Sequence, residues 1–295
     1  MPAVLRSSNE NSLSSSNSTQ AGDWNYYNWC TDYPTAPVIW SVISGICFLL
    51  GFPASLWVLH ELLQRQRQRS TSDVFMLSLA VIDLTFTAHI PFSVCNFMIW
   101  HIKELEVLLD FIYGLSISGR PLFMACICWD CYVAVVYPIV YKTSKNLAVI
   151  KKAITITICF TTVFHGLVAC TITWLTTTPF IASPLIVALP VISFCDISIL
   201  QALKKTDPTG KNNIHPQKKQ ALHTITNSFI MTFIVYLPPA IIFSFGKLIP
   251  LREIERYCCL NFYGFSFNMA GCVIMPVLYL VTVGKLDTFK NWWKK

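Results

Sequence analysis

Apolar residues along this chain come in long blocks, and the polar segments between them are short and mostly basic. The first block is free of charge from Pro34 to Leu59, and the second runs from Val74 to Trp100 with one acid, Asp83. The third, about Leu108 to Tyr137, contains Asp110, Arg120 and Asp130. Two more cover about Ala221–Gly246 and Cys258–Gly284. A helix needs about 20 mainly apolar residues to cross the hydrocarbon core of a bilayer, so each block is long enough for one crossing.

Between them lies an uncharged stretch of 43 residues, Ala153 to Cys195. As one helix it would rise about 65 Å, twice the core thickness. It must therefore fold back. The prolines and threonines of Thr176-Thr177-Thr178-Pro179 and Ser183-Pro184 mark the turn, predicting a fourth span of about Ala153–Trp174 and a fifth of about Leu185–Leu203. The cations support seven spans with the N-terminus outside. Sixteen of the 22 Lys and Arg then fall on the inner side, in segments 65–69, 142–152, 204–219 and 285–295. Five (Arg6, Lys103, Lys247, Arg252 and Arg256) fall on the outer side, and Arg120 lies within the membrane. This is the asymmetry expected of cytoplasmic loops.

Composition agrees: 54% of residues are hydrophobic and 13% charged, against about 25% charged in a soluble domain. A pair of soluble domains is excluded. Residues 1–35 read as an extracellular tail with a glycosylation acceptor at Asn17 and no long apolar run of a signal peptide. Residues 36–284 read as the bundle. Residues 285–295 place Leu286, Phe289, Trp292 and Trp293 on one side of a short helix beside lysines, suited to the cytoplasmic lipid interface. The net charge of +7 is thus addressed to membrane lipid and not to nucleic acid. The expected protein is all-α: a multi-pass seven-helix bundle of the plasma membrane with a short amphipathic C-terminal helix.

Several motifs stand in order along these spans: Gly51-Phe52-Pro53-Ala54-Ser55, Leu79-Ala80-Val81-Ile82-Asp83, Asp130-Cys131-Tyr132 with Pro138 downstream, Pro190, Tyr236-Leu237-Pro238, and Met275-Pro276-Val277-Leu278-Tyr279. Together they resemble the landmarks of the rhodopsin-like (class A) G-protein-coupled receptors, over nearly the whole chain after residue 35. The resemblance implies a receptor that passes an extracellular ligand signal to a heterotrimeric G protein. Its conformational switch would comprise Asp83, Arg120, Asp130, Cys131, Tyr132, Pro190, Tyr236, Pro238, Pro276 and Tyr279.

The departures from that pattern matter as much. Cys131 stands where the family has an Arg that contacts the G protein; a small neutral thiol does not replace it. Such a chain could instead be a non-signalling decoy or a modulatory receptor-like protein. The family's disulfide between the third span and the second outer loop has no cysteines here: Glu106 stands at one position, and 175–184 contains none. A second bridge found in parts of the family would join Cys30 to Cys258 or Cys259. The other nine cysteines lie in spans, and none suggests a zinc site; no metal or cofactor is expected.

A cation within a span costs about 2.5–3.5 kcal/mol even on the lenient insertion scale, so Arg120 needs a partner. Arg120 is eleven residues above Cys131, about 16 Å, and Asp83 is ten above Asp73, about 15 Å. The two charges are expected at one depth. In the family, the counterpart of Asp83 binds sodium, with help from a hydroxyl at the position of Arg120 and an Asn at that of Met275. Here the guanidinium is expected to replace the ion.

The resemblance also narrows the ligand. Tyr113 stands where amine receptors have an acid. No Lys lies between 248 and 284 for a retinal Schiff base, and Pro239 to Phe243 lacks the cations with which nucleotide receptors hold phosphate. His89, Tyr113 and Phe243 would line an aromatic pocket, with Asn96 as a further polar group, for a lipid or peptide ligand. An enzyme is not expected, since hydrolase, metalloprotease and nucleotide-loop motifs are missing. Asp83 and Asp196 are acids of the kind that carry protons in transporters, but no inverted repeat accompanies them.

Overall fold

Lipid offers no hydrogen-bond partner to a bare backbone, so each apolar block closes its own N–H and C=O groups as a helix. The computed structural model describes Cys30 and residues 33–67, 74–144, 146–171, 179–205, 216–252 and 255–282. Asn17, the turn residues 176–178 and the expected helix 285–295 lie outside the described residues. Seven helices are long and apolar enough to cross a membrane. They are built on α1 (Thr35–Arg67), α2 (Val74–Cys95), α3 (Lys103–Val136), α4 (Leu147–Thr171), α5 (Pro179–Lys205), α6 (Pro216–Ile230) and α7 (Asn261–Thr282), the sixth crossing running from Leu222 to Phe245 and the seventh from Cys258 to Thr282. A π-helical turn, Met231–Tyr236, carries α6 on into a further helix, Leu237–Phe245, and another, Arg256–Leu260, precedes α7. A short helix, Pro138–Thr143, links α3 towards α4.

α3, α4 and α6 begin earlier than expected, at Lys103, Leu147 and Pro216, and two further boundaries also differ. α1 continues past Leu59 to Arg67, because Gln, Leu and Arg are good helix formers; His60 Nε2 and Gln64 Nε2 lie one turn apart at 3.2 Å. The fifth span begins at Pro179, not near Leu185, and Ser183-Pro184 lies inside α5 and not in a turn. Pro179 suits the first helical position, where an N–H would have no partner. Pro184 frees the Phe180 carbonyl four residues back. That oxygen is recaptured by the Ser183 hydroxyl at 2.7 Å and by His165 Nε2 of α4 at 3.2 Å, while the two rings stack at 4.7 Å.

The widened turn in the sixth column has a similar cause. Pro238 and Pro239 donate no hydrogen bond, and a proline ring crowds the carbonyl one turn back. The backbone shifts register just before them, Leu237 N–H reaching the Thr232 carbonyl five residues away.

α3 occupies the centre, packed against α2, α4 and α5, while α1 packs between α2 and α7. Without a hydrophobic drive in lipid, helices associate through close backbone contact at small residues. At the α3–α4 crossing a Cβ on Gly114 would lie 2.9 Å from Gly166 Cα. The central core gathers Phe123, Met124, Cys128, Leu185, Ile192, Met231, Val235 and Tyr236. Outward faces carry exposed Val42, Leu49, Ile156, Phe160 and Val187, as lipid contact requires. At one end, a Cys30–Cys258 disulfide, Cα–Cα 5.5 Å, ties the chain before α1 to the turn before α7. Tyr33 Oη donates to Glu255 Oε1 there at 3.1 Å.

Candidate functional site

Arg120 is 1% exposed, among the largest fully buried side chains of the bundle. α3 points it between α2 and α7. Nε donates to Asp83 Oδ1 at 2.6 Å. Nη1 donates to the Asn268 carbonyl at 2.8 Å, with Asn268 Oδ1 at 3.5 Å, and Nη2 reaches Cys272 Sγ at 2.8 Å. The guanidinium carbon lies 4.4 Å from the centroid of the Phe86 ring, close enough for a cation–π contact. Gly271 leaves room for the guanidinium, since a Cβ there would stand 3.6 Å from Nη1. Each face of the cation is thus occupied by a carboxylate, a carbonyl, a sulfur or a ring.

A sodium ion does not fit this centre. The guanidinium already holds Oδ1 of Asp83, its own charge would repel a second cation, and Met275 offers no oxygen ligand. What remains beside Asp83 is a cavity of about 20 Å³ bounded by Ser55, Met275, Pro276 and Tyr279 among others, room for a single water. The Ser55 hydroxyl, buried with no hydrogen-bond partner, borders it.

The expected pocket residues lie on the disulfide side of this ion pair, in a continuous row of rings. His89 is 4.6 Å from Phe86, Phe86 5.9 Å from Tyr113, Tyr113 4.7 Å from Phe265, and Phe265 5.8 Å from Phe243. His89 Nδ1 contacts the Phe86 carbonyl of its own helix. Tyr113 Oη is buried without a hydrogen-bond partner. Asn96 does not face the pocket as a free polar group. Its amide clamps the α2–α3 connection, accepting from Ile102 N–H at 2.9 Å and donating to Ile102 O at 3.2 Å. The clamp stabilises His101 in the left-handed region, φ 54°.

At the opposite end Asp130 has taken a partner that sequence reasoning counted only as a loop cation. Lys151 of α4 lies 2.7 Å from Asp130 Oδ1 and 2.8 Å from Oδ2, and donates to Tyr141 Oη at 3.0 Å. Cys131 instead packs with Ile199, Ile225, Val135 and Leu203. Tyr132 turns towards α5, its ring 5.7 Å from Phe194. Pro190 sits on an exposed face of α5, Pro238 is half-buried, and Tyr236 is buried in the central core. Pro276 and Tyr279 border the small cavity. Cys259 is a free thiol beside the disulfide. Asn227 Nδ2 donates to Thr282 Oγ1 at 3.1 Å, joining α6 to α7. Lys151, Tyr141, Asn268 and Cys272 were missed from the sequence. Only Lys151, a cation next to an uncharged block, carried a signal.

Comparison with known proteins agrees with this architecture. The family described as 7 transmembrane receptor (rhodopsin family) matches residues 54–279. Lysophosphatidic acid receptor 4 of Homo sapiens is 23% identical over 282 residues, 84% of this chain and 75% of that receptor. C-X-C chemokine receptor type 1 of Rattus norvegicus is 31% identical over 110 residues, 37% of this chain and 32% of its own. P2Y purinoceptor 6 of Rattus norvegicus is 25% identical over 107 residues, 35% and 31% respectively. With seven apolar helices, motifs in order around Asp83, Asp130, Pro238 and Pro276, and a family match spanning most of the bundle, this chain belongs to the rhodopsin family of seven-transmembrane receptors.

Proposed function

We propose that this chain is a plasma-membrane receptor with its N-terminus outside, which binds an apolar ligand of lipid or peptide class in the aromatic row. It passes the resulting helix movement to a cytoplasmic partner, a heterotrimeric G protein by family. Residues 1–35 form the outer tail, 36–284 the bundle and 285–295 an interfacial helix. The observation that carries this reading is the double role of Phe86. Its ring belongs to the row from His89 to Phe243 and also lies under Arg120, so a ligand that displaces the row displaces the support of the ion pair. The stretch from Pro239 to Phe243 offers no cation for phosphate, which disfavours a nucleotide. The match over 84% of this chain to a receptor named for lysophosphatidic acid supports a lipid.

A second reading rests on Cys131: a receptor-shaped protein without G-protein output. Both are tested by measuring basal and ligand-screened G-protein activation for the wild type and Cys131→Arg. Activation by the wild type supports the signalling receptor. Activation gained only on restoring Arg supports the decoy.

A further inference from the structure

Asp196 of α5 is 8% exposed, and its partner is the fully buried Ser228 of α6. Oδ2 meets the Ser228 hydroxyl, while Oδ1 is buried without a hydrogen-bond partner. The ion pairs of Asp83 and Asp130 do not reach Asp196. Among the described residues the titratable groups that face it are thiols, Cys128 and Cys131 from α3 and Cys195 from α5 itself. α6 contributes the Ser228 hydroxyl. A carboxylate removed from water, without a cation and with one oxygen bare, is among the most costly groups to bury; a proton removes that cost.

We propose that Asp196 is a proton-binding site that latches α6 onto α5. With the helices closed, the carboxyl group holds a cytosolic proton and donates it as Oδ2–H to Ser228 Oγ, leaving Oδ1 an uncharged carbonyl oxygen. When α6 moves away, water reaches the group, the proton passes to solvent, and the carboxylate opposes reclosure until it is protonated again. The site stands where α6 meets its neighbours: Ile225 packs on Ile199 and Cys131, and Asn227 bonds Thr282. Acid therefore favours the closed bundle and alkali the open one. The second half of this inference, that α6 is the moving element, rests on the receptor reading above.

The test compares thermal unfolding of the purified full chain in lipid nanodiscs with that of Asp196→Asn, an isostere of the protonated acid, from about pH 5 to about pH 8. The two should melt together at the acid end, because bound protons stabilise the closed bundle there. At the alkaline end the wild type should melt about 3 °C or more below the variant, since its carboxylate must then be buried charged. Other acids titrate in both proteins and cancel. Ser228→Ala, which withdraws the donor to the carboxylate, should keep or steepen the pH dependence. A wild-type-to-variant difference that stays constant with pH, or pH dependence lost in Ser228→Ala, overturns the proton site. In cells with clamped cytosolic pH, basal output should rise with alkalinity in the wild type and stay flat in Asp196→Asn. Melting that depends on pH beside output that does not upholds the site and overturns the reading of α6 as the switch.

Discussion

Asp83→Asn leaves Arg120 without its counter-charge, lowering the melting temperature of the purified receptor by about 10 °C and removing most of it from the cell surface. The amide oxygen of Asn can still accept from Nε, so the loss is one of charge and not of geometry. Breaking one side of a buried ion pair costs about 3–5 kcal/mol, because the remaining ion stays desolvated. The Asn268 carbonyl and Cys272 sulfur, at 2.8 Å each, solvate the guanidinium but do not neutralise it. Asp83→Asn with Arg120→Met should recover most of the stability, since apolar replacement of a whole buried pair is often neutral or better. A single variant as stable as the wild type, or a double variant worse than the single, would contradict the pairing.

The second large effect is expected at the disulfide. Cys30 and Cys258 are 228 residues apart, so the bridge closes nearly the entire bundle into one loop. Removal of a native bridge typically costs about 2–5 kcal/mol. The lower half of that range applies here, because unfolded helices that remain in the bilayer keep the chain ends confined. Cys30→Ser and Cys258→Ser should destabilise equally, and the double variant no further than either, as for two halves of one interaction. Cys259→Ser should melt with the wild type. Equal losses in Cys258→Ser and Cys259→Ser would mean that the two thiols exchange as partners of Cys30.

What the sequence revealed and concealed follows from the range of each interaction. The crossings were legible because lipid forces long uncharged blocks into helices. The common depth of Arg120 and Asp83 was legible because a helix rises by a fixed amount per residue, so counting from the polar borders places both. Which α7 groups complete the centre was not, since Asn268 and Cys272 are selected by helix rotation, which depth does not determine. Ser183-Pro184 reads as a break because proline frees a carbonyl, and the helix continues because the Ser183 hydroxyl and His165, from another helix, recapture it. Lys151 sits at a border where a cation reads as loop, yet it is 5% exposed and bound to Asp130. The Asn96 clamp depends on a local π-turn, Asn96–Trp100, and has no pattern at that scale. The motifs gave the family, and the departures at Arg120, Cys131 and Met275 marked where this member differs.

The central claim is that the guanidinium of Arg120 occupies for good the place that other members of the family give to a mobile sodium ion. Its most direct measurement is the melting temperature of the purified wild type and of Arg120→Ser as sodium replaces choline at constant ionic strength. The wild type should not respond, whereas Arg120→Ser, which restores a hydroxyl beside Asp83, should be stabilised by sodium. A wild type stabilised by sodium would place an exchangeable ion beside Asp83 and contradict the account.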